Sequence, residues 1–218
     1  MARAPSGTPC TPEALGDAVK ALGFTPGDGE CRELALYLGM LEKWNRVMNL
    51  VGRASWRGIL DTLIVDSLHL AGFIRGLPLP AAPLCRDLGA GAGLPGIPLR
   101  ILWREGSYAL IEAREKRALF LKTVLASCPL PGVSVFQGRA EAFMAANPPA
   151  HLTVSRAFMP WEEVLALIAP HTEPGGLCVF LTLAPLPQNL PEGWRALSEH
   201  AYAVGNDTRY FWALAKNA

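Results

Sequence analysis

Residues 87–96 read Asp-Leu-Gly-Ala-Gly-Ala-Gly-Leu-Pro-Gly, and this glycine-rich stretch is the strongest local signal in the sequence. It follows a short apolar run at residues 84–88 and precedes a segment with helical periodicity. Glycine is needed where a chain turns sharply from a strand into a helix, and where a ligand approaches the backbone too closely for a Cβ atom. Read from Gly91, the stretch also fits G-x-G-x-x-G, the pattern of nucleotide-binding loops. A tight turn without a ligand is the alternative, because glycine is common in loops.

Beyond residue 83, short apolar runs alternate with helix-length segments. The runs are residues 84–88, 108–111, 133–136, 152–154 and 177–181, and the helical segments are residues 96–105, 114–127, 139–146 and 161–170. This alternation predicts an α/β fold, a doubly wound and mostly parallel sheet with helices on both faces. Residues 197–204 and 209–215 predict two further strands. The turn Gly205-Asn206-Asp207 between them leaves no room for a helix, so they are expected to form an antiparallel hairpin.

The amino-terminal third is predicted to be helical. Thr11 and Pro12 have the residue types of a helix cap and first position, and residues 30–49 repeat apolar side chains at helical spacing. A further helix is expected after Ser55, ending before Pro78. The sequence thus divides into a small helical portion at residues 1–79 and an α/β domain at residues 80–218.

Composition limits the class of protein. Half of the residues are hydrophobic and 18% are charged, which allows a substantial core, and the net charge of +1 argues against a wholly basic nucleic-acid binder. The five cysteines are scattered and never form C-x-x-C, so neither a disulfide framework nor a metal site is expected. The sequence shows neither a signal peptide nor an apolar run of about 18 residues. We expect a cytoplasmic protein, monomeric and without contact to membranes.

A carboxylate at the end of the second predicted strand, Glu112, indicates the ligand. In doubly wound folds an acid about 20 residues after the glycine loop accepts hydrogen bonds from the ribose hydroxyls of an adenosine. A surface charge is the alternative. Loop and acid together favour an adenosine-containing cofactor and leave NAD and S-adenosylmethionine open. Five or so parallel strands followed by a hairpin favour a class I methyltransferase, since other nucleotide-binding sheets more often stay parallel throughout.

Two longer strings carry a resemblance to a known family. D-x-G-A-G-A-G-L-P-G-I-P-L, followed by I-E-A-R-E-K-R-A-L-F-L, resembles the bacterial small-subunit ribosomal RNA guanine-N7 methyltransferases, also called glucose-inhibited division protein B. Further matches are KWNRVMNL at residues 43–50, Asp66-Ser67, and Ser155-Arg156-Ala157. The resemblance covers roughly residues 30–183, and Leu-Pro-Gly-Ile-Pro-Leu is more specific than the glycines themselves.

The resemblance implies S-adenosylmethionine as cofactor and 16S ribosomal RNA or the small ribosomal subunit as partner. It implies that the loop contacts the cofactor, that Glu112 sits at the ribose and that Ala140 and Glu141 lie beside the adenine. Arg156 would lie at the mouth of the pocket, as a cofactor-binding and catalytic residue. The cofactor-binding residues expected in the loop are Gly89, Gly91, Gly93 and Leu94. We expect Asp87 to brace this loop near the amino group of the cofactor.

Two departures from the family pattern remove polar groups from the expected substrate side. The usual Lys-Gly after the fifth strand is Thr182-Leu183 here, and the usual His of His-x-x-Asp-Ser is Leu63. Because of these two departures, a ribosome-associated protein that has the fold and the cofactor pocket but no longer transfers methyl groups is an alternative function. The alternative enzyme activity is that of a nicotinamide-dependent oxidoreductase. The terminal hairpin disfavours this alternative.

The rest of the sequence agrees with chemistry that needs no acid or base. Guanine N7 carries a lone pair and no proton, so the task of an enzyme there is mainly alignment and exclusion of water. The sequence shows no catalytic triad, paired-carboxylate motif or metal-ligand cluster. Basic residues within 43–75 and 100–122, the second group including Arg100 and Arg104, are candidates to hold RNA phosphates. Ordinary solvated helix surface is the alternative for both groups.

Overall fold

A seven-stranded sheet forms the centre of the computed structural model, which describes residues 9–53 and 55–217. The strands lie in the order β3-β2-β1-β4-β5-β7-β6, all parallel except β7, which is antiparallel to both of its neighbours. The strands are β1 Leu84–Leu88, β2 Ser107–Glu112, β3 Val133–Gln137, β4 Ala150–Arg156, β5 Thr172–Thr182, β6 Trp194–Val204 and β7 Asp207–Lys216. The predicted α/β class, the doubly wound parallel sheet and the terminal hairpin are confirmed.

Eight α-helices are found in the described part of the chain. They are α1 Pro12–Ala21, α2 Asp28–Met48, α3 Trp56–Ile59, α4 Val65–Arg75, α5 Gly96–Leu102, α6 Glu115–Ser127, α7 Ala140–Ala145 and α8 Trp161–Ile168. The hydroxyl of Thr11 accepts a hydrogen bond from the Ala14 N–H at 3.2 Å, which confirms the predicted cap of α1. Helix α5 ends three residues before the predicted 105, where Trp103 already has extended backbone angles.

The helix predicted between Ser55 and Pro78 is interrupted. Ser55 caps it as expected, but a π-helical turn at Leu60–Ile64 separates α3 from α4. The Thr62 hydroxyl donates to the Gly58 carbonyl at 2.6 Å. Side-chain bonding to the carbonyl four residues back competes with the regular helical ladder and bends helices. The π-helical turn ends at Ile64, two residues before Asp66.

The alternation of side chains along the strands divides the core into two layers. In β2, Tyr108 and Leu110 point into one layer, whereas Ala109 and Ile111 point into the other. The first layer also contains Leu34 and other buried residues of α1 to α4, so the helical amino-terminal portion and the sheet share one core. Helices α7 and α8 cover the second layer. The division at residues 79 and 80 stays a prediction; it falls in the connection between α4 and β1.

The strand order reverses between β1 and β4, which connect to neighbours on opposite sides. In open α/β sheets, ligands bind in the crevice outside the carboxyl ends of the strands at such a reversal. The topology therefore predicts a ligand site beside the residues that follow Leu88 and Arg156. Within the described residues, no helix combines the length and the apolar character needed to cross a bilayer.

Candidate active site

The glycine-rich stretch forms a tight loop between β1 and α5. Gly89, Gly91 and Gly93 have φ angles of +69°, +58° and +85°, values that residues with a Cβ atom rarely adopt. Gly93 also has a packing reason, because a Cβ there would lie 2.5 Å from Cδ1 of Ile97. The predicted turn is confirmed. At Gly93, close packing of the following helix explains the glycine.

Glu112 fixes this loop to the end of β2. One carboxylate oxygen accepts the Gly91 N–H at 2.9 Å and the other accepts the Arg114 N–H at 2.8 Å. The side chain is buried, and it forms no ion pair with any residue that the structure describes. A buried carboxylate retains further acceptor positions after two backbone bonds. Glu112 therefore braces the loop and still offers acceptors at the end of its strand.

A cleft of about 340 Å³ opens beside Glu112 and is called here the cofactor cleft. It brings together four of the residues predicted from the sequence, which come from three different strand ends: Gly89, Glu112, Ala140 and Glu141. Ile111, Phe158 and Met159 supply apolar surface. The remaining predicted loop residues, Gly91, Gly93 and Leu94, lie outside this lining, and Leu94 packs into the core. Their contact with a cofactor stays a prediction.

Asp87, at the end of β1, is buried beneath the loop. Its Oδ2 atom makes no hydrogen bond with the described residues and lies 2.5 Å from the position that a Cβ on Gly96 would take. Burial raises the pKa of Asp87 to about 7, against an opposing influence from Arg156. The glycine at position 96 thus allows the start of α5 to approach a carboxyl group. The Gly96 N–H and the Tyr108 hydroxyl also lower the pKa of this carboxyl, so burial outweighs them together with Arg156.

The amino-terminal helices hold the loop from the other side. The buried Tyr37 hydroxyl of α2 donates to the Ala92 carbonyl at 2.8 Å. The Ser67 hydroxyl of α4 donates to the Pro95 carbonyl at 3.2 Å. Sequence reasoning missed Tyr37, because no local pattern distinguishes its hydroxyl from that of any other core tyrosine. The helical portion therefore helps to form the site.

Arg156 ends β4 and lies outside the lining of the cofactor cleft. Its Nη2 atom is 3.1 Å from Oδ2 of Asp66, and its side chain is 23% exposed. It lines a second cavity of about 280 Å³, called here the outer cavity, together with Tyr202 and Arg209 of the hairpin. Ala157 lines both cavities and has a φ of +50°. Arg156 thus adjoins the cofactor cleft through its neighbour Ala157, and its predicted cofactor-binding and catalytic roles stay predictions.

The contacts of Arg209 and Tyr202 with Asp66 were not predicted from the sequence. Arg209 Nη1 lies 2.6 Å from Oδ1 of Asp66, and the Tyr202 hydroxyl donates to the same oxygen at 2.9 Å. The hairpin residues are more than 130 positions away from Asp66 along the chain, so no spacing rule could connect them. Of the two departures from the family pattern, Leu63 packs against the core and Thr182 lines the outer cavity.

The basic segments are only partly available to a ligand. The prediction that Arg100 is a surface residue available to RNA phosphates is wrong. Arg100 is buried and donates to the carbonyls of Glu105 and Gly106. Arg104 forms an ion pair with Glu33. The remaining basic residues of that segment lie at the start of α6 or on it, and Arg114 and Arg117 line the cofactor cleft. A smaller cationic surface than the sequence predicted therefore borders the cleft.

Comparison with known proteins assigns the family. The model of the family described as rRNA small subunit methyltransferase G matches residues 30–196. Proteins named ribosomal RNA small subunit methyltransferase G are 57% identical over 192 residues in Nitratidesulfovibrio vulgaris, covering 88% of each chain. In Lawsonia intracellularis the identity is 52% over 197 residues, covering 89% of this chain and 91% of the relative.

Solved structures support the fold. A protein from Klebsiella pneumoniae described as an O-methyltransferase superposes with a TM-score of 0.62 at 15% identity, covering 94% of this chain and 99% of the other. The Escherichia coli protein yhhF, described as a methyltransferase, gives a TM-score of 0.58 at 17% identity and covers 72% of this chain and 89% of the other. The sheet is thus that of class I methyltransferases, and by sequence the chain belongs to the rRNA small subunit methyltransferase G family.

Proposed function

We propose that this protein transfers a methyl group from S-adenosylmethionine to N7 of a guanine in 16S ribosomal RNA. The observation that carries the proposal is the Glu112 carboxylate, which is buried in the wall of the cofactor cleft and forms no ion pair within residues 9–53 and 55–217. Family membership supports methyl transfer to ribosomal RNA. The choice of N7 follows from the resemblance of the loop and its flanking strings.

The residues of the cleft fit an adenosyl cofactor. Glu112 offers acceptors for the two ribose hydroxyls, while Ile111, Ala140 and Phe158 provide apolar surface for an adenine ring. The buried carboxyl of Asp87, at the end of β1, is the acid that we expect near the amino group of the cofactor. When bound, S-adenosylmethionine supplies an electrophilic methyl group on a positively charged sulfur. The chain itself binds, orients and excludes water.

The proposed reaction makes small demands on acid and base groups. N7 of guanine has a lone pair and no proton, so no side chain has to remove one. The residues around the cleft contribute by alignment, which supplies several kcal/mol of barrier reduction in well-oriented reactions. Arg156 is the predicted contact at the reacting end, where its planar guanidinium donates several hydrogen bonds in fixed directions.

The partner in this proposal is 16S ribosomal RNA or the small subunit, and the reaction takes place in the bacterial cytoplasm, where ribosomes are assembled. We expect the protein to act as a monomer. Arg114 and Arg117 at the rim of the cleft provide positive charge for RNA phosphates. An adenosyl group has no phosphate that would occupy them.

Two measurements separate the proposal from its alternatives. Calorimetric titration with S-adenosylmethionine and with NAD should give binding by the first and none by the second; the reverse result would indicate an oxidoreductase. Incubation with small-subunit RNA and labelled cofactor should label the RNA. Tight cofactor binding without any labelling would instead identify a ribosome-associated protein that has lost turnover.

A further inference from the structure

The outer cavity is a second chamber beside the cofactor cleft, and its polar wall comes from parts of the chain that are far apart. Asp66 comes from α4, Arg156 from the end of β4, and Tyr202 and Arg209 from the hairpin. The Tyr202 hydroxyl and Arg209 Nη1 donate hydrogen bonds to Oδ1 of Asp66 at 2.9 and 2.6 Å, and Arg156 Nη2 forms an ion pair with Oδ2 at 3.1 Å. Such convergence on a buried acid needs an explanation beyond the packing of a helix against a sheet.

The charges in this wall do not cancel. Asp66 is almost completely buried, with a side-chain exposure of 4%, and it faces two guanidinium groups. Desolvated charges are tolerated in proteins when they are paired. One carboxylate compensates one of the two cations, so one positive charge remains in the wall. The outer cavity therefore favours an anion.

Hydrogen-bond donors also remain unused. A guanidinium carries five N–H groups, and the contact of Arg156 with Asp66 in the described structure is an ion pair through Nη2 alone. Nε of Arg209 is buried and has no partner among the described residues. A buried unpartnered donor is rare in folded proteins and indicates a missing acceptor. Charge and donors thus call for the same ligand chemistry, an oxyanion.

The position of the cavity identifies the source of this oxyanion. Ala157 lines both cavities, so a group in the outer cavity is a direct neighbour of a ligand in the cofactor cleft. The rim carries Leu183, whose 73% exposure shows that this side is open to solvent. The adenosine-binding residues lie on the opposite side, at the ends of β2 and β3. A large polymer can reach the outer cavity while a small cofactor occupies the cleft.

We propose that the outer cavity binds a phosphate group of the RNA strand that carries the target guanine, and that Asp66 is the positioning residue that fixes Arg156 and Arg209 for it. This inference rests on the proposed function. Asp66 pairs with one nitrogen of each guanidinium, Arg209 Nη1 also donates to the Thr62 carbonyl at 2.7 Å, and the other nitrogens of both forks are the donors that would hold the phosphate. The negative charge of Asp66 weakens the attraction of the cavity for RNA in general, but its contacts fix the positions of the Arg156 and Arg209 guanidinium groups.

The test compares Asp66→Asn with Asp61→Asn in the full-length protein. Asparagine keeps the size of the side chain and removes its charge; Asp61 is an exposed acid nearby, paired with Arg57 at 3.0 Å. For Asp66→Asn we expect an affinity for S-adenosylmethionine within about twofold of wild type and equal or tighter RNA binding. The single-turnover transfer rate should fall at least about tenfold, since small misplacements near reacting groups have effects of this size. Asp61→Asn should change none of these.

Two further variants keep the inference testable if Asp66→Asn folds poorly. Tyr202→Phe removes one donor to Asp66 without changing any charge, and should slow transfer severalfold at unchanged melting temperature. Arg209→Gln should lower the slope of log RNA affinity against log salt concentration by about one, the signature of one lost phosphate contact. In an Arg156→Lys background, Asp66→Asn should add little further loss, because it acts through the same group.

Several results would overturn the inference. Wild-type transfer rates in Asp66→Asn and Tyr202→Phe, or an unchanged salt slope in Arg209→Gln, would remove the phosphate site. Loss of cofactor affinity with normal RNA kinetics would assign the cavity to the cofactor. A rate that falls only with the folded fraction would make Asp66 structural. If the wild-type protein labels no RNA at all, the proposed function itself fails, a result distinct from all of these.

Discussion

Asp87→Asn should change how the stability of the protein depends on pH. The carboxyl of Asp87 is fully enclosed beneath the glycine loop, and burial raises its pKa from 3.8 to about 7. In the native protein the group therefore keeps a proton at pH values where the unfolded chain has released it. Unfolding releases that proton between these two values, so the free energy of unfolding falls as the pH rises through this interval.

The size of this effect follows from the two pKa values. One pKa unit corresponds to about 1.4 kcal/mol, and the shift from 3.8 to about 7 spans roughly three units. The native state thus loses up to about 4 kcal/mol relative to a neutral side chain between pH 4 and pH 7. Below pH 4 both states are protonated and above pH 7 both are ionised, so the slope is confined to this window. Asparagine cannot ionise and should lack it.

The assay is urea denaturation of wild type, Asp87→Asn and the exposed-site control Asp61→Asn at half-unit steps from pH 4 to pH 8. Groups common to all three proteins contribute equally and cancel in the differences. The stability of Asp87→Asn relative to wild type should rise steadily up to about pH 7 and then level off. Parallel stability curves for wild type and Asp87→Asn would refute the raised pKa and the placement of this carboxyl.

Four further predictions concern the loop and the two cavities. Glu112→Ala removes the acceptor of the Gly91 and Arg114 N–H groups and of the expected ribose hydroxyls. Calorimetry should therefore show at least about tenfold weaker binding of S-adenosylmethionine. An affinity within about twofold of wild type would mean that Glu112 only holds the loop in place. Gly93→Ala would place a Cβ 2.5 Å from Ile97 Cδ1 at a positive φ. The free energy of unfolding, measured by urea denaturation, should fall by about 2 kcal/mol or more. An unchanged denaturation midpoint would contradict the packing role of Gly93. Arg117→Gln should weaken RNA binding with a salt slope lower by about one at unchanged cofactor affinity, and an unchanged slope would exclude a phosphate contact. Arg156→Lys should melt within a few degrees of wild type but transfer methyl groups far more slowly, whereas normal transfer would remove this residue from the site.

The sequence predicted the sheet because each of its signals is local. Apolar runs, helical spacing and the turn at Gly205-Asn206-Asp207 are set by neighbours along the chain, and the structure has a strand at every predicted run. Gly89 and Glu112 were also within reach, because parallel strands bring their carboxyl ends to one edge of the sheet. Ala140 and Glu141 came from the family resemblance, and the structure places them in the lining of the same cleft.

Contacts between distant segments could not be predicted in this way. The bond from Tyr37 to the Ala92 carbonyl spans 55 positions, and the pairing of Asp66 with Arg209 spans 143. Arg100 has the sequence pattern of a surface cation, yet it is buried, and its guanidinium donates to the carbonyls of Glu105, Gly106 and Pro131. The π-helical turn at Leu60–Ile64 was likewise not predicted, because apolar spacing does not distinguish it from a regular helix, and the Thr62 hydroxyl bonds within it to the Gly58 carbonyl.

The central claim is methyl transfer to N7 of a guanine, and chemical mapping of the RNA tests it most directly. Small-subunit RNA is incubated with the purified protein and S-adenosylmethionine, reduced with borohydride and cleaved with aniline, which breaks the strand at N7-methylated guanines. We predict cleavage at a discrete guanine with wild-type protein, and strongly reduced cleavage with Arg156→Lys and with Glu112→Ala. Labelled RNA that resists cleavage would place the methyl group on another atom. RNA that is neither labelled nor cleaved, with a protein that binds the cofactor tightly, would contradict the claim altogether.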